Sequence, residues 1–354
     1  SLVTQTNTNL NFLYTSLSQI LNSIYLAPVH CRPILTTFLN SLFSLIKISQ
    51  NFNFSKIVLN LHNLHNLEFL LILSGDVETN PGPVNIPVVP GQVKNDIKIK
   101  IATYNINGGL SKPLKQKRIL NKIRRLDPNT IFCLQETHLV TANEFVMKAR
   151  WNNGISWSHG TAASAGTAIL FKTKEWDETV EVGNIEGGRC CYVILKKENL
   201  LLMVINVYAP NNAVDSVVFY DTVNQLLIDK QANYPGVSIA VAGDFNVTLS
   251  ESDSVNRVGY AGEDRVRDRV ETLLEDHALF DIKKFKFPLD CKPTFKRNRT
   301  MSRLDYVCVD NVLYQNVTDY QDNWSFDQSD HAMIFADLII ESDIIMGKGY
   351  FKAN

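Results

Sequence analysis

The sequence predicts a layered α/β fold, with helices packed outside β-sheets, from about residue 97 onwards. Apolar runs of strand length, rich in Val, Ile, Tyr and Phe, alternate with segments whose apolar residues repeat at helical spacing. Several runs are apolar on both faces, which is typical of sheets covered on both sides. The composition of 45% apolar and 20% charged residues is ordinary for a globular protein and excludes wholesale disorder.

The expected elements follow from these patterns. Strands are predicted at 98–104, 129–135, 166–171, 190–195, 201–208, 237–242, 305–309 and 332–338. Helices are predicted around the apolar stripes Ile119, Leu120, Ile123 and Leu126; Phe219, Val223, Leu226 and Leu227; and Val266, Val270, Leu273 and Leu274. Active sites in such folds gather at strand ends, so we expect chemistry where the apolar runs stop.

The N-terminal quarter has a different character. Its first 67 residues contain no Asp or Glu and only three basic residues, Arg32, Lys47 and Lys56. We predict a poorly ordered leader over 1–69, with a targeting segment as the alternative and no secretion signal identified. Residues 84–96 continue a Pro- and Gly-rich stretch and are expected to form a linker. No stretch approaches the roughly 18 apolar residues that span a bilayer, so no membrane contact is expected.

The six cysteines, Cys31, Cys133, Cys190, Cys191, Cys291 and Cys308, show no C-x-x-C pair. This spacing disfavours a zinc site and a disulfide framework, and it favours a reducing compartment.

Six short motifs occur in a fixed order after residue 97, each where an apolar run stops. They are IATYNINGG at 101–109, CLQETH at 133–138, VYAPN at 207–211, GDFNV at 243–247, SRLDY at 302–306 and SDHAM at 329–333. Each motif alone is a weak signal, but the full set indicates a metal-dependent phosphodiesterase.

The chemistry explains why these residue types are needed. Phosphodiester hydrolysis requires an activated water and stabilisation of new negative charge, and a divalent cation serves both needs. Mg²⁺ prefers oxygen ligands and few carboxylates, which makes Glu136 a candidate ligand. Asp244 and Asn246 alternate across Phe245, so an extended backbone directs both to one face. Asp305 and His331 suggest a carboxylate that favours a charged imidazolium directed at the phosphate.

These motifs resemble the endonuclease, exonuclease and phosphatase superfamily over about 97–340. The resemblance implies a four-layered α/β sandwich of two packed mixed β-sheets flanked by helices. It also implies a role for each matching residue. Glu136, Asn105 and Asp330 would lie at the metal, which is Mg²⁺ with Mn²⁺ as a possible substitute. Tyr208 and His331 would contact the phosphate, Asp244 and Asn246 would lie at the attacking water, and Asp305 would orient His331.

Two positions depart from the apurinic endonucleases of this superfamily. Those enzymes usually carry Asp where Asn107 stands and an aromatic residue where Ser302 stands. These departures count against an apurinic repair endonuclease and put its abasic-site pocket in doubt, but such an enzyme is the nearest alternative. A phosphoinositide or sphingomyelin phosphodiesterase and a non-catalytic DNA-binding remnant are further alternatives.

The stretch PTFKRNRTMSRLDYV at 293–307 resembles endonucleases of non-LTR retrotransposons, in which a short hairpin is implied to approach target DNA. Between 283 and 303 there are eight basic residues against one Asp, a composition suited to phosphate contact. We predict DNA contacts from Lys296, Arg297, Arg299 and Arg303, with a solvated loop as the alternative. The helix near 114–126 is similarly basic.

LLILSGDVETNPGP at 70–83 matches the D-[VI]-E-x-N-P-G-P signature of 2A-type ribosome-skipping peptides. The resemblance implies that no peptide bond forms between Gly82 and Pro83. The segment 341–354, ending in GKGYFKAN, resembles the stretch that opens the linker to a reverse transcriptase. We therefore expect an endonuclease that nicks double-stranded DNA. Its expected partners are the element RNA and a reverse transcriptase domain, and it is expected to be made in the cytoplasm and to act in the nucleus.

Overall fold

The computed structural model describes residues 96–341 except 186, 258, 289–291 and 328. The expected leader (1–69), skipping peptide (70–83, with Gly82 and Pro83), linker (84–96) and C-terminal segment (341–354) lie outside the described residues, except at Asp96 and Glu341. These two residues begin and end strands of the domain.

Fifteen strands and six α-helices alternate along the described part of the chain. The strands are β1 (Asp96–Asn105), β2 (Thr130–Gln135), β3 (Gly154–Ser158), β4 (Thr167–Phe171), β5 (Glu178–Ile185), β6 (Cys190–Lys197), β7 (Leu200–Tyr208), β8 (Ser238–Asp244), β9 (Ser254–Val255), β10 (Phe280–Asp281), β11 (Phe295–Arg297), β12 (Thr300–Ser302), β13 (Asp305–Val309), β14 (Val317–Asn323) and β15 (Met333–Glu341). The helices are α1 (Pro113–Arg124), α2 (Glu144–Trp151), α3 (Ala213–Asn233), α4 (Glu263–Asp276), α5 (Ile282–Lys286) and α6 (Asn311–Gln315).

The strands form two six-stranded mixed sheets and one small sheet. The first sheet has the order β14-β15-β1-β2-β4-β3, the second β10-β13-β8-β7-β6-β5, and the small sheet β11-β12-β9. Each large sheet has one parallel central pair, β1 with β2 and β7 with β8, connected through α1 and α3. A parallel pair needs such a crossover, and it brings the carboxyl ends of both strands to one edge.

Three apolar clusters define four layers. The largest lies between the two sheets and includes Ile101, Cys133 and Val204. A second joins the second sheet to α3 and α4, and a third joins the first sheet to α1 and α2. The predicted sandwich of two packed mixed sheets flanked by helices is therefore confirmed.

All eight predicted strands and all three predicted helices are present. The patterns missed β3, β5, β14 and α2, together with the short elements β9, β10, α5 and α6. Strands β3, β5 and β14 lie at sheet edges. Strands β5 and β14 are only partly buried, so their sequences are largely polar and lack the apolar run that predicts a strand. Helix α2 is only eight residues long and exposes Phe145, which weakens its apolar stripe. No helix within 96–341, as far as the structure describes it, is long and apolar enough to span a membrane.

Candidate active site

Most of the predicted site residues meet at one edge of the two sheets. Asn105 ends β1, Glu136 follows β2, Tyr208 ends β7 and Asp244 ends β8. Antiparallel pairing adds Asp305, which begins β13 opposite Asp244. His331 lies two residues before β15, which runs antiparallel to β1 and so starts at the same edge.

Asn105 links the two sheets at this edge. Its amide nitrogen Nδ2 donates to Glu136 Oε1 at 3.1 Å and to Asp244 Oδ2 at 3.0 Å. Its Oδ1 accepts from the backbone N–H of Asn107 at 3.1 Å. One buried amide therefore sets the separation of the two carboxylates.

Glu136 is the more accessible of these carboxylates. Its Oε1 also accepts from the hydroxyl of Tyr208 at 2.8 Å, while Oε2 lies 3.8 Å from Nε2 of His138 and the side chain is 25% exposed. Burial and the Glu136 charge raise the pKa of Tyr208 well above its ordinary value, so the phenol remains a donor. The left-handed backbone of Glu136, at φ 49°, is an uncommon conformation held by this network.

A buried charge cluster lies on the other side of Asn105. His331 Nδ1 donates to Asp305 Oδ2 at 2.9 Å, and His331 Nε2 lies 3.8 Å from Asp244 Oδ2. Burial alone lowers the pKa of His331, but the carboxylates of Asp305 and Asp244 outweigh it and raise the pKa to about 10. Burial raises the pKa of Asp244 to about 7, against the opposing effect of His331. His331 is therefore an imidazolium whose Nε2–H is free to donate.

Asp305 is held from one side only. Its Oδ2 also accepts from the hydroxyl of Thr294 at 2.7 Å, whereas its buried Oδ1 has no hydrogen-bond partner among the described residues. Thr294 in turn accepts from the backbone N–H groups of Leu304 and Asp305, both at 3.0 Å. The segment before the hairpin thus fixes the orientation of the carboxylate.

The prediction that Asp244 and Asn246 share an extended backbone is wrong. β8 ends at Asp244, and Asn246 has a left-handed backbone at φ 50° because its N–H turns back to Asp244 Oδ1 at 3.0 Å. The Asn246 amide donates to Ala209 O at 2.7 Å, which leaves its Oδ1 without an assigned role. Both residues still lie beside the end of β7, since Asp244 pairs with Tyr208 and Asn246 donates to Ala209 O.

Asp330 lies at the periphery of this group. The amide of Asn107 approaches Asp330 Oδ1 at 3.5 Å, and no hydrogen bond or ion pair joins Asp330 to Glu136 among the described residues. Lys115 of α1 supports the same loop, donating to Ile106 O at 2.8 Å and to Asn107 O at 3.1 Å. Lys115 was not anticipated, because a lysine on a helix surface carries no distinguishing sequence signal.

Three of the four predicted DNA contacts lie on an exposed hairpin. Lys296 and Arg297 end β11 and Arg299 is in the turn, and all three are exposed. The hairpin is joined to the site, since Lys296 N donates to Asp330 O at 2.8 Å and the Phe295 ring lies 4.9 Å from that of His331.

Arg303 corrects the fourth prediction. Its guanidinium is buried and binds Asp253 at 2.7 and 3.1 Å and Asp281 at 2.6 Å, so it cannot reach a DNA backbone. A run of basic residues in the sequence does not distinguish an arginine paired inside the fold from one in solvent.

Two further polar residues were missed. Gln135 donates to Asn206 Oδ1 at 2.7 Å across the sheets, and Asn206 donates to Leu134 O at 2.9 Å and Ala168 O at 3.0 Å. Both are fully buried beneath the site. Their signal was a lone amide inside an apolar run, which buried strands tolerate only when it is hydrogen-bonded.

A cation also lies beside Tyr208. The Arg189 guanidinium lies 4.6 Å from the centroid of the Tyr208 ring, and Tyr208 N donates to Arg189 O at 2.7 Å. Arg189 adds positive charge to a region that is otherwise rich in carboxylates.

The donor set fits a hard divalent cation at Glu136. The Glu136 side chain is 25% exposed, and its Oε2 accepts no hydrogen bond among the described residues. An octahedral ion needs only one or two carboxylates, with water and phosphate completing its shell. Asp244, Asp305 and His331 also offer ligand atoms within 4.8 Å of one another. That cluster suits a cation less well, because it is fully buried and His331 is already protonated.

Comparisons with solved structures agree with this fold. An AP endonuclease from Leishmania major aligns with a TM-score of 0.58 and 18% identity, over 68% of this chain and 87% of that one. An AP endonuclease from Archaeoglobus fulgidus and a 3′–5′ exonuclease from Neisseria meningitidis each align with a TM-score of 0.53, at 18% and 19% identity, over 68% of this chain and 99% of theirs. At these identities the likeness concerns the fold.

One curated relative is a transposon protein. The Transposon TX1 uncharacterized 149 kDa protein of Xenopus laevis is 24% identical over 222 residues. The match covers 61% of this chain and only 16% of that protein.

A family model of endonucleases, exonucleases and phosphatases matches residues 102–331, which include every predicted catalytic and metal-site residue. The match covers well over half of the chain and coincides with the sandwich and its strand-end side chains. The chain therefore belongs to the endonuclease/exonuclease/phosphatase family and is a metal-dependent phosphodiesterase.

Proposed function

We propose that this domain is a Mg²⁺-dependent endonuclease that nicks double-stranded DNA and so supplies the 3′ hydroxyl from which a non-LTR retrotransposon is reverse transcribed. The observation that carries the proposal is the arrangement around Asn105. A partly exposed carboxylate, Glu136, lies on one side, and a buried imidazolium, His331, lies on the other with Asp244 between them. A phosphodiester bound across this edge meets both a cation site and a hydrogen-bond donor.

Each residue has a separate task in this proposal. Asp244 orients the attacking water and takes up its proton, and Asn246 holds the neighbouring loop. His331 donates from Nε2 to a phosphate oxygen, while Asp305 keeps the imidazole charged and correctly oriented. The Tyr208 hydroxyl fixes Glu136 and reaches the phosphate when substrate binds.

The cation is proposed at Glu136, with Asn105 and Asp330 nearby and Mn²⁺ as a substitute for Mg²⁺. When bound, it stabilises the negative charge that develops on the phosphorane and on the leaving oxygen. The residues of the chain supply the remaining binding, orientation and proton transfer.

DNA is the proposed substrate because exposed positive charge adjoins the site. Lys296, Arg297 and Arg299 lie on the hairpin that contacts His331, and α1, which starts beside the Asn107 loop, carries no acidic residue. Such charge binds phosphate without regard to sequence and gives a strongly salt-dependent affinity.

The mobile-element assignment is supported by the hairpin resemblance and by the transposon name of the Xenopus relative. In this proposal element RNA and a reverse transcriptase domain are partners, the protein is made in the cytoplasm and acts in the nucleus, and the catalytic domain spans 97–340. The segments 1–69, 70–83, 84–96 and 341–354 keep their predicted roles as leader, skipping peptide, linker and the start of a further linker.

An apurinic repair endonuclease is the second candidate, since solved AP endonucleases share the fold. Two observations disfavour it. The side chain of Ser302 is fully buried and offers no ring to a substrate. The Asn107 amide donates to Asp330, whereas the Asp that apurinic endonucleases carry at this position would repel Asp330. A non-catalytic remnant is disfavoured because the contacts among the polar groups of the site are intact.

A plasmid-nicking assay tests the activity. The full chain should convert supercoiled DNA to the open circle in Mg²⁺ or Mn²⁺, and Asp244→Ala and His331→Ala should abolish this conversion. Asp268→Asn, which neutralises an exposed carboxylate on α4, is the matched control and should nick like wild type. If wild type and both alanine variants leave the plasmid equally intact in both metals, the catalytic proposal is wrong. A strong preference for an abasic duplex would favour the repair alternative.

Translation in vitro tests the skipping peptide separately. The natural sequence should yield two products separated at Gly82 and Pro83, and Pro83→Ala should yield one. A single full-length product from the natural sequence would remove this part of the proposal.

A further inference from the structure

Trp324 is the feature that the proposed chemistry does not use. It follows β14 in the segment 324–330, which leads to His331. The chain has four tryptophans, and the other three pack in or against hydrophobic clusters, whereas Trp324 belongs to no cluster among the described residues. This large half-buried indole therefore does not contribute to the described apolar clusters.

The face of this indole is covered by a cation. Lys296 Nζ lies 4.2 Å from the centroid of the Trp324 ring. Lys296 is exposed and has no ion pair with a carboxylate in the described part of the chain. An exposed cation–π contact is weak, so a DNA phosphate can draw the ammonium away and uncover the ring.

The indole is connected to the reaction centre through β11. Lys296 N donates to Asp330 O at 2.8 Å, and the ring of Phe295, the preceding residue, lies 4.9 Å from that of His331. Strand β11 therefore contacts both Trp324 and His331 through two adjacent residues. A nucleotide next to the scissile phosphate comes within reach of the ring.

The segment that carries the indole is firmly anchored. Phe326 is buried and packs edge-on against Tyr104 at 5.5 Å, and the Ser329 hydroxyl donates to Asn105 O at 2.7 Å. Asp327 accepts from Arg118 at 2.9 Å. A ring held in place loses little freedom on binding, which favours stacking of a ligand on it.

We propose that Trp324 and Lys296 form a subsite for one unstacked nucleobase beside the scissile phosphate. The base stacks on the indole, and Lys296 moves to a backbone phosphate. The subsite rests on the proposed function in that DNA is the substrate.

The subsite predicts a structural kind of specificity. Unstacking a base from a perfect duplex costs free energy, and this cost is smallest where the base is mismatched or bulged. Base–aromatic stacking is tolerant of sequence. The domain should therefore nick preferentially beside mismatches, bulges and flexible pyrimidine–purine steps rather than at a fixed sequence.

Nicking of matched duplexes tests this preference. Two oligonucleotide duplexes of identical sequence context, one fully paired and one with a single bulged base, are compared with the full chain. Stacking is worth about 1–3 kcal/mol per base, or roughly 5- to 150-fold in kcat/KM. Trp324→Ala should lower kcat/KM on the bulged duplex by this factor, whereas Trp324→Phe, which keeps a ring, should retain most of the wild-type kcat/KM.

Arg297→Gln is the matched control. It removes a charge from the same hairpin without changing the indole, so it should reduce nicking of both duplexes by the same factor. An unchanged preference for the bulged duplex in Trp324→Ala, with wild-type melting temperature, would overturn the subsite. So would equal losses in Trp324→Ala and Trp324→Phe.

Fluorescence separates the subsite from the proposed nuclease activity. In full-length Asp244→Asn, the bulged duplex should quench tryptophan emission more than the paired duplex, and the excess should vanish when Trp324→Phe is added. An excess that persists in the double variant, or no excess at all, rejects stacking on Trp324. If the excess depends on Trp324 but wild type nicks neither duplex, the nuclease proposal fails and the binding site stands.

Discussion

Arg303 and Asp305 are two residues apart in the same motif, and each lies in a buried cluster of one cation and two carboxylates. Around Arg303 every charged group is satisfied: the guanidinium binds Asp253 and Asp281, and these also accept from backbone N–H groups. Around His331 the pairing is incomplete, since Asp305 Oδ1 has no partner among the described residues and His331 Nε2 stays 3.8 Å from Asp244.

The difference separates a structural cluster from a chemical one. A buried ion cluster stabilises a fold when its hydrogen bonds are complete, and loss of one member leaves an uncompensated charge. A cluster that keeps unpaired groups at an edge where strand ends meet is less stable alone but available to substrate. Four variants or conditions test this distinction.

Asp244→Asn should have the largest effect on activity and a favourable effect on stability. Loss of the proton acceptor should slow nicking by about 10²–10⁴-fold. Burial raises the pKa of Asp244, so the neutral amide avoids the cost of a buried charge and the melting temperature should stay level or rise. Nicking rates and thermal unfolding of the same preparation measure both. A slow variant with a lowered melting temperature would contradict the chemical assignment.

Arg303→Met should show the opposite pattern. Removing the guanidinium leaves Asp253 and Asp281 buried and unpaired, and the free energy of unfolding should fall by about 3–5 kcal/mol. Nicking per folded molecule at low temperature should be unchanged. Denaturant unfolding provides the measurement, and addition of Asp253→Asn should recover part of the loss. Normal stability with weakened DNA binding would restore the original expectation that Arg303 contacts DNA.

Thr294→Val examines the support of the catalytic cluster. It removes the hydroxyl that bonds Asp305 Oδ2 and the N–H groups of Leu304 and Asp305. Leaving a buried polar group unpaired costs about 1–3 kcal/mol, and nicking should slow because Asp305 loses its orientation. Thr294→Ser keeps the hydroxyl and should behave like wild type in both assays. Equal defects in the valine and serine variants would indicate lost packing instead.

Alkaline pH should gradually weaken the cluster around His331 and leave the cluster around Arg303 intact. The pKa of His331 is raised from 6.5 to about 10, so its stabilisation is complete below pH 6.5 and is lost as pH rises to about 10. Above pH 7, where Asp244 is ionised, the slope is at most about 1.4 kcal/mol per pH unit.

The measurement is the metal-free unfolding free energy of wild type minus that of His331→Gln between pH 7 and 10. This difference should shrink as pH rises. The corresponding difference with Arg303→Met should stay constant: burial lowers the pKa of Arg303, but Tyr306 and the carboxylates of Asp281 and Asp253 outweigh it and raise this already high pKa further. A flat His331 difference would mean that the imidazole is neutral at pH 7.

Much of the site was predictable because strand periodicity and strand ends are local properties. Residues such as Glu136 and Asp244 were predicted from apolar runs that stop at a polar residue. Parallel pairing brings the end of β1 beside that of β2 and the end of β7 beside that of β8. Asn246 was misjudged because its backbone turns at φ 50°, a conformation that alternation along a strand does not reveal.

The sequence by itself determined the sandwich, the set of groups at its edge and the family, because burial patterns and motif order are written along the chain. Only the tertiary structure decided which charged side chains are paired inside the fold and which are exposed beside the site. Arg303 is neutralised by Asp253 and Asp281 from 50 and 22 residues away along the chain, and Lys296 meets Trp324 across two segments. Such pairings depend on three-dimensional proximity and on the cost of burying a charge, and neither can be read from neighbouring residues.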